Sequence, residues 1–416
     1  MDYLELRYCR LCGGEFSSNE LALKSTPPAN EIYPDVDSAR NCSKFPLVLV
    51  ICKSCKHVQL KDIVSPDRLF SNYVYKSGTS TIFREHFRNL ANLIAGEVPN
   101  KSVVLEIGSN DGKLLEFLNY VNLEPVGLEP SDLLVKESVS RGLTVYKGFL
   151  DSEFVDLFLS NHGPAKVVVA NNVFAHIYDM QKAVRDISSM LASDGTFIFE
   201  VAHLLSLVRN GYFDTIYHEH MSYHSIFSLQ EFLTRFGFGI YRIQKISTHG
   251  GSVRVSAKKL PFTSPYENEI SAFVNEEVEA GINSDKVLEL ISVKIEKLRD
   301  TTSKFFNSLT GNEFIFGYGA PAKVVTFLAE MELEKLNISG IVDDNPDKQN
   351  MYLPGSGFAI KDLDSIKSQI SRADGKVICL IFPWNLGAEL LEKLSQFMPP
   401  GSRAVSFFPK LTIKEF

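Results

Sequence analysis

Short apolar runs that end in glycine turns recur along this chain, and each is followed by an amphipathic segment. The first run is Val103-Val-Leu-Glu-Ile107, which leads into the turn Gly108-Ser-Asn-Asp-Gly112 and then into an apolar pattern at helical spacing from Lys113. A second run, Val126-Gly-Leu-Glu129, follows at the distance expected of the next parallel strand. A strand, a tight glycine turn and a helix form the opening unit of a doubly wound α/β domain.

The alternation of apolar strands and amphipathic helices continues to about residue 257. The periodicity predicts strands at 45–52, 166–171, 196–201 and 250–257, and helices from Thr81 through Leu93, at 183–191 and at 227–236. The segment 213–224 interrupts this alternation with polar and aromatic residues. An interruption of this kind favours a functional loop over a core element.

A second unit of strand, glycine turn and helix covers residues 313–328. Further apolar runs at 338–342 and 377–382 end in polar residues, which is typical of parallel strands in an open α/β sheet. The region 266–308 has apolar residues at helical spacing and is expected to link two lobes. The chain is therefore predicted to contain two Rossmann-like domains.

Composition narrows the class of protein. The 416 residues are 44% hydrophobic and 22% charged, as in a soluble globular protein with more than one domain. A net charge of −7 and the absence of a Lys/Arg-rich block argue against nucleic acid as a partner. The first residues do not form a signal peptide, and no apolar run has membrane-spanning length. A cytoplasmic protein without a membrane partner is expected.

Four of the six cysteines form two Cys-x-x-Cys pairs, Cys9 with Cys12 and Cys52 with Cys55. Each pair can present two thiolates from one turn, and two such knuckles complete a tetrahedral zinc site. A site of four thiolates leaves no open position, so the zinc is expected to be structural. The alternative, a redox Cys-x-x-Cys, lacks a thioredoxin-like context in either pair.

The turn at 108–112 is a candidate cofactor site, because its two glycines allow a ligand to approach the main chain closely. Glu129 could accept hydrogen bonds from both hydroxyls of a ribose. The turn lacks the G-x-G-x-x-G pattern of dinucleotide sites and offers Glu106, Asn110 and Asp111 instead. Such groups suit an ammonium and a sulfonium better than phosphate, which favours S-adenosylmethionine over NAD. A tight loop without a ligand is the alternative.

The run Tyr217-His218-Glu219-His220 carries three kinds of ionisable group within four residues. Its spacing differs from the H-E-x-x-H of zinc proteases, and an extended segment would place the two histidines on one face. We therefore expect acid–base chemistry. A histidine suits the removal of a proton α to a ketone, a carboxylate can fix its tautomer, and a tyrosine can stabilise an enolate oxygen. A polar surface loop is the alternative.

Two further residues have a functional and a structural interpretation. His176 follows the strand at 166–171, where open α/β sheets place their active sites, although a lone histidine there is often structural. Lys323 lies near the start of the helix after Gly317-Tyr-Gly319 and could reach a phosphate. A solvated helix residue is an equal alternative for Lys323.

Several motifs together resemble the sugar C-methyltransferases of branched deoxysugar pathways. They are the paired knuckles, Glu-Ile-Gly-Ser-Asn-Asp-Gly at 106–112, Asn-Val-Phe-Ala-His-Ile at 172–177, Tyr-His-Glu-His at 217–220, His-Gly-Gly-Ser-Val-Arg at 249–254 and Gly-Tyr-Gly-Ala-Pro-Ala-Lys at 317–323. The resemblance spans nearly the whole chain in order. It implies an α/β protein with a small zinc-binding domain at 1–74, a Rossmann-like class I methyltransferase domain at 75–308 that binds S-adenosylmethionine, and a second Rossmann-like domain at 309–416 that helps to hold a nucleotide-linked keto sugar.

The resemblance also implies roles for individual residues. His220 would remove the C3 proton of a 4-keto-6-deoxyhexose, and the sugar pocket would be lined by Tyr217, Glu219, His176 and a tyrosine of the Tyr-x-Tyr loop, with Tyr75 preferred to Tyr73. The cofactor residues would be Glu106, Gly108, Asn110, Asp111, Gly112, Glu129, Asn171 and Asn172. The substrate residues would be His249, Gly251, Ser252, Arg254, Gly319, Ala320, Lys323 and Asp343. The zinc ligands would be Cys9, Cys12, Cys52 and Cys55, and a monomer is expected.

Other functions fit parts of the pattern. A nucleotide-sugar oxidoreductase or epimerase would use the C-terminal glycine turn for NAD, an O- or N-methyltransferase would need no carbon acid, and a zinc-dependent binding protein would need no turnover. One position departs from the family pattern, because Asn350 stands where Gly is expected. That departure concerns the preference for a nucleotide donor more than the type of reaction.

Overall fold

A computed structural model describes residues 3–71, 76, 78, 81–373 and 375–416 of the chain, without the side chain of His249. The first part of the chain forms a small β-rich module. Its elements are β1 (Tyr3–Glu5), β2 (Phe16–Thr26), α1 (Val36–Arg40), β3 (Phe45–Cys52), β4 (Val58–Leu60), β5 (Asp62–Val64) and α2 (Pro66–Phe70). The apolar run at 45–52 is confirmed as β3, which pairs antiparallel with β2 and β4. The two knuckles lie before β2 and between β3 and β4.

The middle of the chain forms an α/β sheet of seven strands. Its elements are α3 (Thr81–Glu97), β6 (Val103–Ile107), α4 (Lys113–Tyr120), β7 (Glu124–Glu129), α5 (Asp132–Ser140), β8 (Val145–Lys147), α6 (Ser152–His162), β9 (Ala165–Asn171), α7 (Met180–Met190), β10 (Leu191–Ala202), α8 (Leu204–Asn210), β11 (Ser222–Tyr223), α9 (Ile226–Arg235), β12 (Phe238–Ile246) and β13 (Ser252–Lys259), with 3-10 turns at Phe174–His176, Phe213–Thr215 and Thr248–Gly250. The strand β11 belongs to a different sheet, because it pairs with β4 of the N-terminal module.

The order of the seven strands is β12-β13-β10-β9-β6-β7-β8, with β10 to β8 parallel and β13 antiparallel to its neighbours. The chain runs from β6 to β7 and β8 on one side of β6, and then crosses to β9 on the other side of β6. This reversal opens a crevice at the carboxyl ends of β6 and β9, where doubly wound folds bind their ligands. The fold is the Rossmann-like sheet that the sequence predicts.

Two differences from the predicted elements have local causes. The strand expected at 250–257 begins two residues later, because Gly250 and Gly251 have positive φ angles of 85° and 118° and close a 3-10 turn. The region expected to be helical at 266–308 is divided into α10 (Glu267–Glu279) and α11 (Val287–Asn307), with Gly281 at φ 77° between them. Glycine adopts these angles without the steric cost that a Cβ would bring.

The last part of the chain forms a second parallel sheet. Its elements are β14 (Phe314–Tyr318), α12 (Lys323–Glu330), β15 (Ile338–Val342), β16 (Ile360–Lys361), α13 (Leu363–Ile370), β17 (Val377–Ile381), α14 (Gly387–Ser395), β18 (Arg403–Ser406) and β19 (Thr412–Glu415), with 3-10 turns at Leu333–Lys335 and Trp384–Leu386. The strand order is β16-β15-β14-β17-β18-β19, and only β19 is antiparallel. This is the second Rossmann-like domain that the glycine turn at 317–319 predicts.

One hydrophobic cluster joins the three parts of the chain. It contains Leu47 and Leu49 of β3, Ile291 of α11 and Phe327 of α12, all buried. Continuous apolar packing resists relative motion of the parts. Among the described residues, no helix is both long and apolar enough to cross a membrane. The domain boundaries at 74 and 308 stay predictions.

Asn350 has a positive φ of 64°, which explains the departure from the family pattern. The left-handed region is the reason that Gly is favoured at such a position, and Asn is among the side chains that tolerate it best. The Asn350 backbone N–H donates to the carbonyl of Ile360 in β16 at 2.9 Å. The substitution therefore preserves the local backbone.

Candidate active site

A cavity of about 670 Å³ lies at the carboxyl ends of β6, β7, β9 and β10. All three parts of the chain contribute to its wall. The N-terminal module supplies Asn30 and Phe70, the middle sheet supplies the turn at 108–110, and the C-terminal domain supplies Lys323 and Pro383. The volume lies within the range of sites that enclose a small-molecule ligand.

The glycine turn after β6 presents backbone to the cavity. Gly108 has a φ of 68°, and a Cβ there would lie 2.5 Å from Cγ2 of Val173. The Glu129 carboxylate accepts from the backbone N–H groups of Asn110 at 2.9 Å and Ser131 at 3.0 Å. These bonds fix the carboxylate at the end of β7, on the cavity wall. Burial raises the pKa of this carboxyl group above its usual value.

Glu106 and Asn171 make this half of the cavity suitable for a cationic ligand. Both line the cavity, and Oε2 of Glu106 and both amide atoms of Asn171 are buried without a hydrogen-bond partner among the described residues. The pKa of Glu106 is raised well above its usual value by burial, and then by the nearby carboxylates of Asp111 and Glu129. A ligand that brings an ammonium would relieve this acidic cluster, so the residues present fit S-adenosylmethionine.

The other predicted cofactor residues differ in their placement. Asn172 lines the cavity with a φ of 54°. Asp111 instead points at the backbone N–H of Gly78, which donates to its Oδ2 at 2.9 Å. Gly112 caps the start of α4, where a Cβ would lie 2.6 Å from Leu143. Asp111 and Gly112 are therefore outside the cavity wall and support the turn from behind.

The segment Tyr217–His220 is a turn, so the expectation of an extended segment with His218 and His220 on one face is wrong. The backbone N–H of His220 donates to the carbonyl of Tyr217 at 2.9 Å, which closes the turn. As a result, Tyr217 and His220 face each other, and the hydroxyl of Tyr217 lies 2.8 Å from Nε2 of His220. His218 points away, with its Nε2 3.2 Å from the carbonyl of Pro46.

His220 is held as a neutral imidazole with one defined tautomer. Its Nδ1 lies 2.8 Å from the carbonyl of Thr215, so Nδ1 carries the hydrogen and Nε2 keeps its lone pair. The hydroxyl of Tyr217 must then donate to Nε2. Burial, with a smaller contribution from the positive charge of Lys323, lowers the pKa of His220 to about 4. The ring is therefore uncharged at neutral pH, and the lone pair of Nε2 can act as a proton acceptor.

The rings around His220 form a stacked column that brings two loops together. His176 stacks on His220 with ring centres 5.1 Å apart at 24°, and Phe70 also stacks on His176, with ring centres 5.6 Å apart. Tyr217 packs against His220 with ring centres 4.1 Å apart. A purely structural role for His176 does not account for its position, because this side chain lies on the cavity wall beside His220.

Glu219 lies behind the cavity wall. Its Oε1 accepts from the amide of Asn30 at 3.1 Å, and burial raises its pKa to about 7. Sequence reasoning missed Asn30 and Tyr223, which line the cavity on this side. The hydroxyl of Tyr223 is buried without a partner among the described residues. The alternation of polar and aromatic residues at 217–224 was the available signal for Tyr223, whereas nothing in the loop around Asn30 indicated a contact with Glu219.

Lys323 also lines the cavity, which does not fit the interpretation as a solvated helix residue. Its Nζ donates to Oδ1 of Asn385 at 3.0 Å and lies 4.1 Å from the ring centre of Trp384. Trp384 in turn donates from Nε1 to Oδ2 of Asp214 at 2.7 Å. Burial lowers the pKa of Lys323 and raises that of Asp214 to about 6.

The remaining predicted substrate residues separate into two groups. Gly251 lines the cavity, whereas Ser252, Arg254, Gly319, Ala320 and Asp343 do not. Arg254 instead forms a buried ion pair with Glu200 at 2.6 Å, which also pairs with His86 at 2.7 Å. Tyr73, Tyr75 and the side chain of His249 lie outside the described part of the chain.

The C-terminal glycine turn is closed by contacts within its own domain. The carboxylate of Asp343 accepts from the backbone N–H of Ala320 at 2.7 Å. A Cβ on Gly319 would lie 2.4 Å from Cδ of Pro383. A dinucleotide would need this approach to the backbone, which Pro383 already fills. The turn therefore positions Lys323 rather than offering a separate NAD site.

The four cysteines of the knuckles converge as predicted. Their sulfur atoms all lie within 4.8 Å of one another, with Cys9 and Cys55 3.6 Å apart and Cys12 and Cys52 3.4 Å apart. Zinc–sulfur bonds of about 2.3 Å place the ligands of a tetrahedral site roughly 3.8 Å apart, so the sulfurs fit a zinc ion with four thiolate ligands. Such a closed site is structural.

Three protein families match successive parts of the chain. Residues 9–70 match a family described as “Putative zinc binding domain”, residues 80–243 match a methyltransferase domain, and residues 247–409 match a C-methyltransferase C-terminal domain. The zinc-binding match covers all four knuckle cysteines. The C-terminal match covers Lys323 and the domain that carries it.

Two relatives and one solved structure are similar to this chain or to parts of it. The C-methyltransferase NovU of Streptomyces niveus is 28% identical over 405 residues, which cover 97% of this chain and 95% of NovU. An uncharacterized methyltransferase of Bacillus pumilus is 30% identical over 127 residues, which cover 30% of this chain and 58% of that protein. The magnesium protoporphyrin IX methyltransferase of Synechocystis PCC 6803, solved with bound SAH, aligns over 45% of this chain and 90% of its own, with 16% identity and a TM-score of 0.35.

Proposed function

This chain belongs to the S-adenosylmethionine-dependent C-methyltransferases, and we propose that it methylates C3 of a nucleotide-linked 4-keto-6-deoxyhexose for branched-chain deoxysugar biosynthesis. The observation that carries the proposal is the neutral His220, whose basic Nε2 lies beside the Tyr217 hydroxyl on the wall of the cavity. Methylation of a carbon requires removal of a proton from that carbon. A ketone makes such a proton acidic enough for a histidine base.

The first role of the chain is to remove the C3 proton. In the free protein the Tyr217 hydroxyl occupies Nε2 of His220, at 2.8 Å. A substrate ketone oxygen competes for that hydroxyl, and its binding would free Nε2 to accept the proton. The C3–H electron pair passes into the enolate, and the proton passes to Nε2. The carbonyl of Thr215 stays bonded to Nδ1–H and stabilises the imidazolium.

The second role is to stabilise the enolate oxygen. Tyr217 supplies a hydroxyl donor, and Lys323 supplies a positive charge on the same cavity. A cation and a fixed donor near a developing oxyanion act strongly where water is excluded. The enolate in turn offsets the burial of the newly formed imidazolium, which compensates for the low pKa of His220 before the reaction.

The third role is to align the two ligands. When bound, S-adenosylmethionine would supply the electrophilic methyl group for C3 of the enolate and would leave as S-adenosylhomocysteine. Glu106 and Asn171 would hold the cationic amino-acid end, and Glu129 the ribose hydroxyls. Because this half of the cavity is continuous with the wall that carries His220, both ligands share one enclosed space. Proximity in such a space contributes a large part of the rate.

Membership of the C-methyltransferases favours a carbon acceptor over the alternatives of an oxidoreductase, an epimerase and an O- or N-methyltransferase. The nucleotide, the keto group and the carbon that is methylated belong to the proposal. Its test is incubation of the protein with S-adenosylmethionine and the thymidine, uridine or guanosine diphosphate derivatives of 4-keto-6-deoxyhexoses. Mass spectrometry should find a gain of one methyl for one hydrogen, and NMR should place the methyl on C3. Methyl transfer to a hydroxyl, or to none of these sugars, would contradict the proposal.

A further inference from the structure

Arg10 is the residue between the two cysteines of the first zinc knuckle, and its side chain contacts both loops that carry the stacked histidines. Its Nε donates to the carbonyl of Tyr178 at 3.0 Å, and its Nη2 donates to the carbonyl of Ile177. Its Nη1 donates to the hydroxyl of Ser222 at 2.8 Å. Ile177 follows His176 directly, and Ser222 lies two residues after His220. One guanidinium therefore bridges the two loops.

The second knuckle holds the His220 loop through the backbone. Strand β11 pairs antiparallel with β4, with Ser222 opposite Gln59. The N–H of Leu60 donates to the carbonyl of Met221 at 3.1 Å. The ring of His57, two residues after Cys55, lies with its Nε2 3.1 Å from the hydroxyl of Ser222. This part of the loop therefore forms an added strand in the sheet of the zinc module, and it does not pair with the methyltransferase sheet.

The Arg10 backbone belongs to the same arrangement. Its N–H donates to Oε1 of Gln59 at 2.9 Å, which links the first knuckle to the strand that follows the second. Zinc ligation by four thiolates would carry a net negative charge of about two. The positive guanidinium of Arg10 would compensate that negative charge. In turn, the negative zinc site would lower the cost of keeping the charge of Arg10 in a partly buried position.

We propose that Arg10 is a positioning residue, which transmits the geometry of the structural zinc knuckle to the stacked pair His176 and His220. The two rings come from segments more than forty residues apart and meet with centres 5.1 Å apart. Their stacking needs both loops at a fixed separation, and the guanidinium fork contacts both loops at once. Arginine suits this role because its planar donors point in fixed directions, whereas lysine has a single flexible nitrogen. This inference rests on the proposed function only for its turnover measurement.

The chain contains a matched control at the equivalent position of the second knuckle. Lys53 follows Cys52 as Arg10 follows Cys9. Its Nζ pairs with Glu15 at 2.9 Å, and the side chains are 55% and 73% exposed. An exposed pair of this kind contributes little to stability. A change at Lys53 therefore tests the effect of losing a cation beside the knuckle without disturbing either histidine loop.

The experiment compares Arg10→Met, Arg10→Lys, Lys53→Met and the unchanged protein, each full-length and loaded with zinc. Zinc content, S-adenosylmethionine affinity by calorimetry and the imidazole NMR signals of His176 and His220 are measured for each. Turnover is measured with thymidine diphosphate 4-keto-6-deoxyglucose. Arg10→Met should keep its zinc and its cofactor affinity within about twofold, shift both histidine signals, and lower kcat about 100-fold with a smaller change in KM. Arg10→Lys should recover part of kcat, and Lys53→Met should match the unchanged protein.

Unchanged histidine signals and kcat in Arg10→Met would overturn the proposal. Loss of zinc and of cofactor affinity together would also overturn it, because Arg10 would then support the fold in general. Ser222→Ala removes one contact of the fork and should shift the His220 signal alone, which gives a second test if Arg10→Met does not fold. If the unchanged protein does not methylate this sugar, the proposed substrate fails, while the histidine signals still decide the role of Arg10.

Discussion

At the scale of single residues, chemistry depends on which groups the fold brings within reach of each other. The sequence indicated the right residue types at 217–220, but not their arrangement, because the turn is held by tertiary contacts. The Thr326 hydroxyl of α12 donates to the carbonyl of Ile216 at 2.7 Å, from more than a hundred residues away. No local periodicity could predict that contact. Zinc ligation, in contrast, was predictable because the spacing within each knuckle already fixes two ligands.

Replacement of the proposed base should separate binding from chemistry. We expect His220→Asn to lower kcat by about 100-fold or more, because a general base typically contributes that much. Its calorimetric affinity for S-adenosylmethionine should stay within about twofold, since the residues at the ends of β6 and β7 are untouched. His162→Asn is a suitable control, because His162 does not line the cavity. It lies at the end of α6, and its Nε2 is 3.0 Å from the hydroxyl of Tyr146. Full turnover by His220→Asn would exclude His220 as the base.

The pH dependence of kcat/KM should report the buried histidine. Burial disfavours the imidazolium and lowers the pKa of His220 to about 4, from an ordinary value of 6.5. Because the neutral form is the active one, His220 should stay active as the pH falls from 7 towards 5, and the acid limb should lie near pH 4. The profile is measured over the range in which the fold is intact by circular dichroism. An acid limb centred near 6.5 that disappears in His220→Asn would contradict this assignment.

At the scale of elements, apolar runs of five or more residues were predictable and short or polar elements were not. Strands β6 and β9 are nearly continuous apolar runs, as expected for parallel strands buried on both faces. Strand β12 was not predicted, although the alternation of apolar and polar residues along it is itself a strand signal. Strand β11 has two residues and exists only because β4 offers it a partner.

The glycine turn after β6 offers a test of the cofactor half of the cavity. Gly108→Ala combines a positive φ of 68° with a Cβ 2.5 Å from Val173, so we expect a loss of S-adenosylmethionine affinity of about tenfold or more. Gly96→Ala is the matched control, because Gly96 lies in α3 with open space around its Cβ position. Alanine there should raise stability by about 0.5–1 kcal/mol. Calorimetry measures the affinity of each variant for S-adenosylmethionine, and thermal unfolding measures its stability. If Gly108→Ala bound S-adenosylmethionine as tightly as the unchanged protein, that result would contradict the role of the turn.

At the scale of the whole molecule, three modules meet at one cavity. The sequence predicted a zinc module and two Rossmann-like domains, since each carries its own local pattern. It did not predict that β11 would join the zinc module or that α12 would support the histidine turn. Contacts between modules depend on surface shape, which a single sequence does not reveal through periodicity. The active site is therefore assembled by the packing of the modules as much as by the motifs.

Removal of zinc should increase hydrogen exchange in the zinc module and in the histidine turn, but not in the central sheet. We expect chelation to increase hydrogen exchange in residues 9–60 and also in 216–224, because β11 depends on β4 and Arg10. Strands β6 and β9 should change little, since they pair within their own sheet. Mass spectrometry of exchanged peptides measures this pattern, and added zinc should reverse it. Increased exchange at 9–60 with an unchanged 216–224 would show that the knuckles do not hold the histidine turn.

The most direct test of the central claim is exchange of the C3 proton without methyl transfer. Thymidine diphosphate 4-keto-6-deoxyglucose is incubated in deuterated water with the protein and S-adenosylhomocysteine, which occupies the cofactor site but carries no methyl group to transfer. NMR follows deuterium at C3 for the unchanged protein and for His220→Asn. We predict enzyme-dependent deuterium entry at C3 that is lost in His220→Asn. Exchange that persists in the variant, or no exchange by a protein that methylates this sugar at C3, would contradict a mechanism in which His220 generates the enolate.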